Sequence, residues 1–125
     1  MLPFFREQFG NASSRAHPWG WAAAEAVKVA RESVASLLGA SPEELVFTSG
    51  ATESNDLALW GAMLARVGRG KGHLVVSAIE HPSVLEPARA IAAAGASLTE
   101  VPPAPDGVVR VEAVLAALRP ETQLV

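Results

Sequence analysis

Two short apolar runs constrain this chain more than anything else in it. Residues 73–78 read HLVVSA and residues 97–101 read SLTEV. Between them lies the helix-length segment HPSVLEPARAIAAAG. The first run has little polar alternation, which marks a strand buried on both faces. A strand, a helical crossover and a second strand close as parallel neighbours with a right-handed connection.

The same alternation extends to both sides. Residues 1–9, with Leu2, Phe4, Phe5 and Phe9 apolar, form a short helical turn, and the turn formers of NASSRAHPWG predict a loop over 11–20. WAAAEAVKVARESVASLLG then repeats Val27, Ala30, Val34, Leu37 and Leu38 at helical spacing, and Gly39 suits a left-handed exit. Ser41, Pro42, Glu43 and Glu44 form a cap signal for a single turn, because LVFT follows at once as an expected strand.

A helix is expected from Thr52 to Arg66, then a GRGKG loop, then the strand at 73–78. The next helix starts at Pro82 or soon after. Pro87 inside it predicts a separate first turn or a kink. After PPAPDG, VEAVLAALR is a helix and TQLV a strand. The order predicts an α/β fold, a three-layer α/β/α arrangement around a mainly parallel sheet.

Composition narrows the function classes. Half the residues are hydrophobic, so a core can form. The net charge of −3, without a Lys/Arg cluster, argues against a nucleic-acid or anionic-membrane surface. There is no cysteine, which excludes a disulfide framework and a Cys-based zinc site and suits a reducing cytoplasm. No apolar run reaches the roughly 20 residues of a membrane span. The first residues, MLPFFREQFG, do not read as a signal peptide.

Ligands of parallel sheets bind beyond the carboxyl ends of the strands. Two loops stand there. In Ser49-Gly50-Ala51-Thr52, at a helix start, first-turn amides are free and the helix dipole favours an anion. Gly50 allows close approach and the Thr52 hydroxyl can donate to a phosphate oxygen. The alternative is a plain helix cap by Ser49 or Thr52; neither a Walker nor a GxGxxG pattern is present. In Glu80-His81-Pro82, an imidazole at a strand end can stack on a flat ring or exchange protons, or can simply cap the next helix. GRGKGH precedes a strand and so lacks a helix start for a phosphate. Trp19, Trp21 and Trp60 are expected to pack, with Trp19 and Trp21 also candidates for an interface. His17 and His73 lack the carboxylate spacing of metal ligands, and no metal site is expected.

Together NASSRAHPWG, LVFTSGATESNDLAL and SAIEHPSVLEPAR resemble the N-terminal part of class V aminotransferase-fold enzymes, and within them the cysteine desulfurases of the NifS and IscS kind. Selenocysteine lyases and aminotransferases of the same class share much of this pattern. The resemblance implies a partial large domain of the fold type I transferases, which bind pyridoxal 5′-phosphate (PLP). It further implies an enzyme that takes sulfur from L-cysteine, leaves alanine, and passes sulfur to an acceptor protein for iron–sulfur or thio-cofactor synthesis. Such enzymes are cytoplasmic homodimers. Ala51 and Thr52 match the residues that hold the PLP phosphate, and His81 matches the histidine that stacks on the pyridine ring and assists proton transfer. Asn11, Ser13, Ser14 and His17 match a loop near that site. Ala12, where the family has proline, and Asp56, where it has asparagine, depart from the pattern.

The family's Schiff-base lysine, in a Ser-x-His-Lys motif, its ring-nitrogen aspartate and its persulfide cysteine have no counterpart among these 125 residues. Lys28 and Lys71 lie in other contexts. The expectation is a fragment, residues 1–125 of a PLP-binding large domain. It would lack the first strand, the lysine region and the small domain, be inactive alone, and be prone to self-association along its open sheet edge. The other reading is a non-catalytic folding or interaction module.

Overall fold

The computed structural model describes residues 1–64 and 72–125. The chain divides into two compact units, Met1–Phe47 and Thr48–Val125.

The first unit is helical. Helix α1 spans Leu2–Arg6 and helix α2 spans Pro18–Leu38. α2 starts earlier than expected: His17 is its N-cap and Pro18 occupies the first turn, so the loop of NASSRAHPWG ends at residue 17. The His17 Nδ1 accepts from the Gly20 amide at 3.1 Å. Gly20 is required there, because a Cβ would stand 1.9 Å from the Ser14 carbonyl oxygen. At the far end Gly39 takes φ 67°, the left-handed exit that glycine allows. A 3-10 turn, Pro42–Glu44, follows, with the Glu44 carboxylate accepting from the Ser41 amide and hydroxyl. Those bonds hold the Glu44 carboxyl below its ordinary pKa.

The strand expected in this unit is corrected. LVFT is not a strand: Leu45 has extended angles, but no pairing partner is found among the described residues. Extended backbone becomes a strand only when its amides and carbonyls find a neighbour. The apolar stripe of α2 is also uncovered. Val27, Val34, Leu37 and Leu38 are exposed, and Ala23 and Ala35 are the buried side chains. Trp19 and Trp21 are exposed too; the Trp21 indole donates to the Arg15 carbonyl at 2.8 Å.

The second unit is an α/β layer structure. Its elements are α3 (Ala51–Leu64), β1 (His73–Ser77), α4 (Pro82–Ala93), β2 (Ser97–Val101), α5 (Val111–Ala117) and β3 (Thr122–Leu124). The expected end of α3 at Arg66 and the GRGKG loop lie outside the described residues. The strands are parallel in the order β2-β1-β3, with His73 opposite both Ser97 and Thr122. The chain leaves β1 to one side for β2 and returns across β1 to reach β3. By the right-handed rule for parallel crossovers, two connections of opposite direction put α4 and α5 on opposite faces of the sheet.

One face is packed by α3 and α4. Leu74 and Val76 of β1 meet Leu59 and Met63 of α3 and Ala88 and Ile91 of α4, with Trp60, Val84, Leu98 and Leu124 at the margin. Trp60 thus packs as expected, unlike the other two tryptophans. α4 is one continuous helix through Pro87, so its first turn is not a separate element. Arg89 of α4 ties it to β2 by a bidentate pair with Glu100, at 2.8 and 2.9 Å. α5 stops at Ala117 rather than at Arg119.

On the opposite face His73 is fully buried. Its two ring nitrogens meet the Thr122 and Thr99 hydroxyls, each at 2.8 Å, so one imidazole spans all three strands. Burial lowers its pKa, the positive charge of Arg119 lowers it further, and Glu121 opposes both. Folding therefore disfavours the protonated ring. The stabilisation from the neutral ring is complete above the ordinary histidine value of 6.5 and is lost as pH falls below it toward the folded-state value. Urea midpoints should fall between pH 7.5 and 5.5, and the drop should shrink in His73→Gln. An equal drop in the variant contradicts this assignment.

Candidate functional site

The starts of α3 and α4 build the site. Gly50 is the N-cap of α3, since its carbonyl accepts the Ser54 amide at 3.1 Å. The amides of Ala51, Thr52 and Glu53 then fall in the first turn, where no intrahelical acceptor exists. Gly50 does not adopt a positive φ, and a Cβ there would meet nothing within 4 Å. The space before the helix end is open, and tight turning is not what glycine contributes.

A plain cap by Ser49 or Thr52 is not what forms. The Glu53 carboxylate reaches back and accepts from the Ser49 amide at 2.6 Å and from the Ser49 hydroxyl at 2.7 Å. Those two bonds, the hydroxyl first, hold the Glu53 carboxyl below its ordinary pKa. They also turn its charge toward Ser49. Thr48 and Ser54 share a 2.6 Å hydroxyl contact beside this turn, which leaves the Thr52 hydroxyl without a partner among the described residues.

His81 is the N-cap of α4, with Pro82 in the first turn. Its Nδ1 accepts from the Ser83 amide at 3.1 Å and lies 2.9 Å from the Ser83 hydroxyl. The Ser83 hydroxyl in turn lies 2.9 Å from the side-chain amide of Asn55, one turn into α3. The capping and the functional readings of His81 are therefore compatible: one nitrogen caps, and the other has no partner among the described residues.

Thr52 and His81 line the same groove, of about 810 Å³, together with Ser49, Ser83 and Trp60. Glu53, Asp56 and Glu86 also line it, with no Lys or Arg among its described lining residues. An anion held at its α3 end meets amides and a hydroxyl, not a cation. A separate cavity of about 440 Å³, lined by Asn55, Leu74, Val76, Val84 and Leu124, contains neither Thr52 nor His81. Ala51 and Thr52 sit at the start of α3 and His81 at the start of α4; His81 follows the end of β1 as expected, whereas no strand precedes Ala51, because LVFT is unpaired. Asn55 and Ser83 were not among the predicted site residues. They are 28 residues apart, and only the packing of α3 on α4 brings them together.

In the first unit Asn11 Oδ1 accepts from the Ser13 amide at 2.9 Å, and the Asn11 carbonyl accepts from the Ser14 amide. His17 caps α2 as described. These residues thus form an ordered turn leading into a helix.

The class-V aminotransferase model matches residues 1–125. This chain belongs to the aminotransferase class-V family. It is 49% identical over all 125 residues to a cysteine desulfurase IscS of Anaeromyxobacter sp. (strain K), of which it covers 31%. Among solved structures it is similar to DndA from Streptomyces lividans, at 45% identity and a TM-score of 0.81, covering 97% of this chain and 34% of that one. It is also similar to an SspA solved in complex with cysteine, at 41% identity and a TM-score of 0.79, covering 96% and 34%. The chain thus spans about a third of the length of these family members. Among the described residues no helix is long and apolar enough to cross a membrane, and no cluster of potential metal ligands is present.

The capping role of Glu53 is directly testable. Ser49→Ala removes the larger of the two bonds to its carboxylate, so the Glu53 carboxyl should titrate higher in carboxyl-carbon NMR. An unchanged titration contradicts the geometry.

Proposed function

We propose that these residues are the cofactor-binding portion of a cysteine desulfurase-like enzyme, with Ala51 and Thr52 at the phosphate of PLP and His81 against its ring. The observation that carries the reading is the groove shared by the open start of α3 and the His81 imidazole. The residues fit the cofactor. Free first-turn amides and the Thr52 hydroxyl suit a phosphate, and the space before Gly50 admits it. An exposed imidazole fixed by its cap offers a flat face to an aromatic ring. When bound, PLP supplies an electron sink for the α-carbon of an amino acid. The chain's own residues bind the phosphate, orient the ring and hold a proton at the free nitrogen of His81.

The identity to cysteine desulfurases supports L-cysteine as substrate, a sulfur-acceptor protein as partner and a homodimer as the working state. The absence of cysteine suits a cytoplasmic setting. Residues 1–125 by themselves bind without turning over, because neither Lys28 nor Lys71 stands in a Ser-x-His-Lys context.

Equilibrium dialysis tests this. PLP should bind more tightly than pyridoxal, which lacks the phosphate. Thr52→Ala should weaken PLP about tenfold or more, as loss of a hydrogen bond to a charged group does, and leave pyridoxal unchanged. Added cysteine should release no sulfide. Equal binding of PLP and pyridoxal, or sulfide release that survives His81→Ala, contradicts the proposal.

A further inference from the structure

The Asn55–Ser83–His81 chain has a direction that its chemistry fixes. The Ser83 backbone amide can only donate, and it donates to His81 Nδ1 at 3.1 Å. Nδ1 must therefore present its lone pair. The Ser83 hydroxyl, 2.9 Å from the same atom, then meets an acceptor and must spend its single proton there. Its remaining lone pairs face Asn55 at 2.9 Å, so Asn55 must present its NH2 group. Each assignment forces the next, and no step depends on how the asparagine amide or the imidazole was oriented beforehand. Ser83 itself is buried, at 8% exposure.

We infer that Ser83 and Asn55 are positioning residues that hold His81 in the tautomer with its proton on Nε2. The inference rests on the proposed role of His81 at the cofactor ring and deepens it. The neutral imidazole offers the groove an N–H donor, not a lone pair, so His81 acts there as a hydrogen-bond donor. Ser83 locks the ring from below through α4. Asn55 locks Ser83 from α3, and so couples the orientation of the imidazole to the helix whose first turn holds Thr52.

Nitrogen-15 NMR of the imidazole ring, on the purified chain at a pH where His81 is neutral, reads this without any cofactor. The wild type should show a pyridine-type Nδ1 and a pyrrole-type Nε2. In Asn55→Asp the carboxylate can only accept, so it draws the Ser83 proton and turns an oxygen lone pair toward Nδ1. The ratio of the Nε2–H to the Nδ1–H tautomer should fall about fivefold, the factor set by one hydrogen bond of ordinary net strength. Ser83→Ala should lower it as well, and Ser83→Thr, which keeps the hydroxyl, should restore it. Unchanged methyl shifts of Leu74 establish that each variant is folded, and a merely structural role for Ser83 or Asn55 would leave the tautomer ratio alone. A wild-type ring with the proton on Nδ1, or a ratio unmoved in both Asn55→Asp and Ser83→Ala, overturns the inference. Failure of PLP to bind while the tautomer behaves as stated would instead overturn the proposed function and leave this inference standing.

Discussion

Everything at the candidate site depends on one packing arrangement: two helices laid side by side on one face of one strand. Leu74 and Val76 of β1 are nearly inaccessible, and Leu59, Met63, Ala88 and Ile91 close over them. Each buried aliphatic side chain contributes on the order of 1.5–3 kcal/mol, so this contact sets where α3 and α4 begin. Because α3 leads into β1 and α4 leaves it, both helix starts project toward the end of the sheet where loops collect. Thr52 and His81 meet in one groove for that reason and not through any direct bond. The Asn55–Ser83 contact is the polar counterpart of the same packing, placed where the two helices are closest to their starts.

The opposite face is held differently. There a single buried imidazole spans three strands through two threonine hydroxyls, and burial disfavours its protonation. The two histidines of the second unit are thus fixed by their neighbours for different ends. His73 has both nitrogens occupied and no access to solvent, which suits a clasp. His81 has one nitrogen occupied and the other free, which suits chemistry. Three carboxylates and no lysine or arginine line that groove among the described residues, so the α3 amides and the Thr52 hydroxyl are the donors it offers an anion. The Glu53 charge is tied to Ser49, which removes part of its opposition to an anion at the helix end.

Much of this was legible in the residues. The runs at 73–78 and 97–101 carry β-branched and apolar side chains bounded by turn formers, and both are strands, the first one residue shorter and the second with those bounds. The helix starts at Pro82 and near Thr52 announce themselves through proline and small capping residues. Family resemblance named Ala51, Thr52 and His81 where spacing alone left a plain cap open. What was not legible depended on partners. LVFT has strand composition but no neighbour to pair with, and composition does not report neighbours. The apolar stripe of α2 has helical spacing, yet periodicity cannot say what covers it. Pro18 was read with the loop before it, although proline at the first position of a helix is favourable. Pro87 predicts a separate first turn or a kink, whereas α4 runs as one helix over Pro82–Ala93. Asn55 and Ser83 carry no spacing signal at all, since their contact is purely tertiary.

The central claim is that the start of α3 and the His81 ring serve a single small molecule. Residue-resolved NMR during a titration with PLP tests it most directly. The account predicts that the Ala51 and Thr52 amides and the His81 ring resonances shift together along one saturation curve, while the His73 ring is unmoved. Shifts confined to one of the two helix starts, or two different saturation curves, would contradict it.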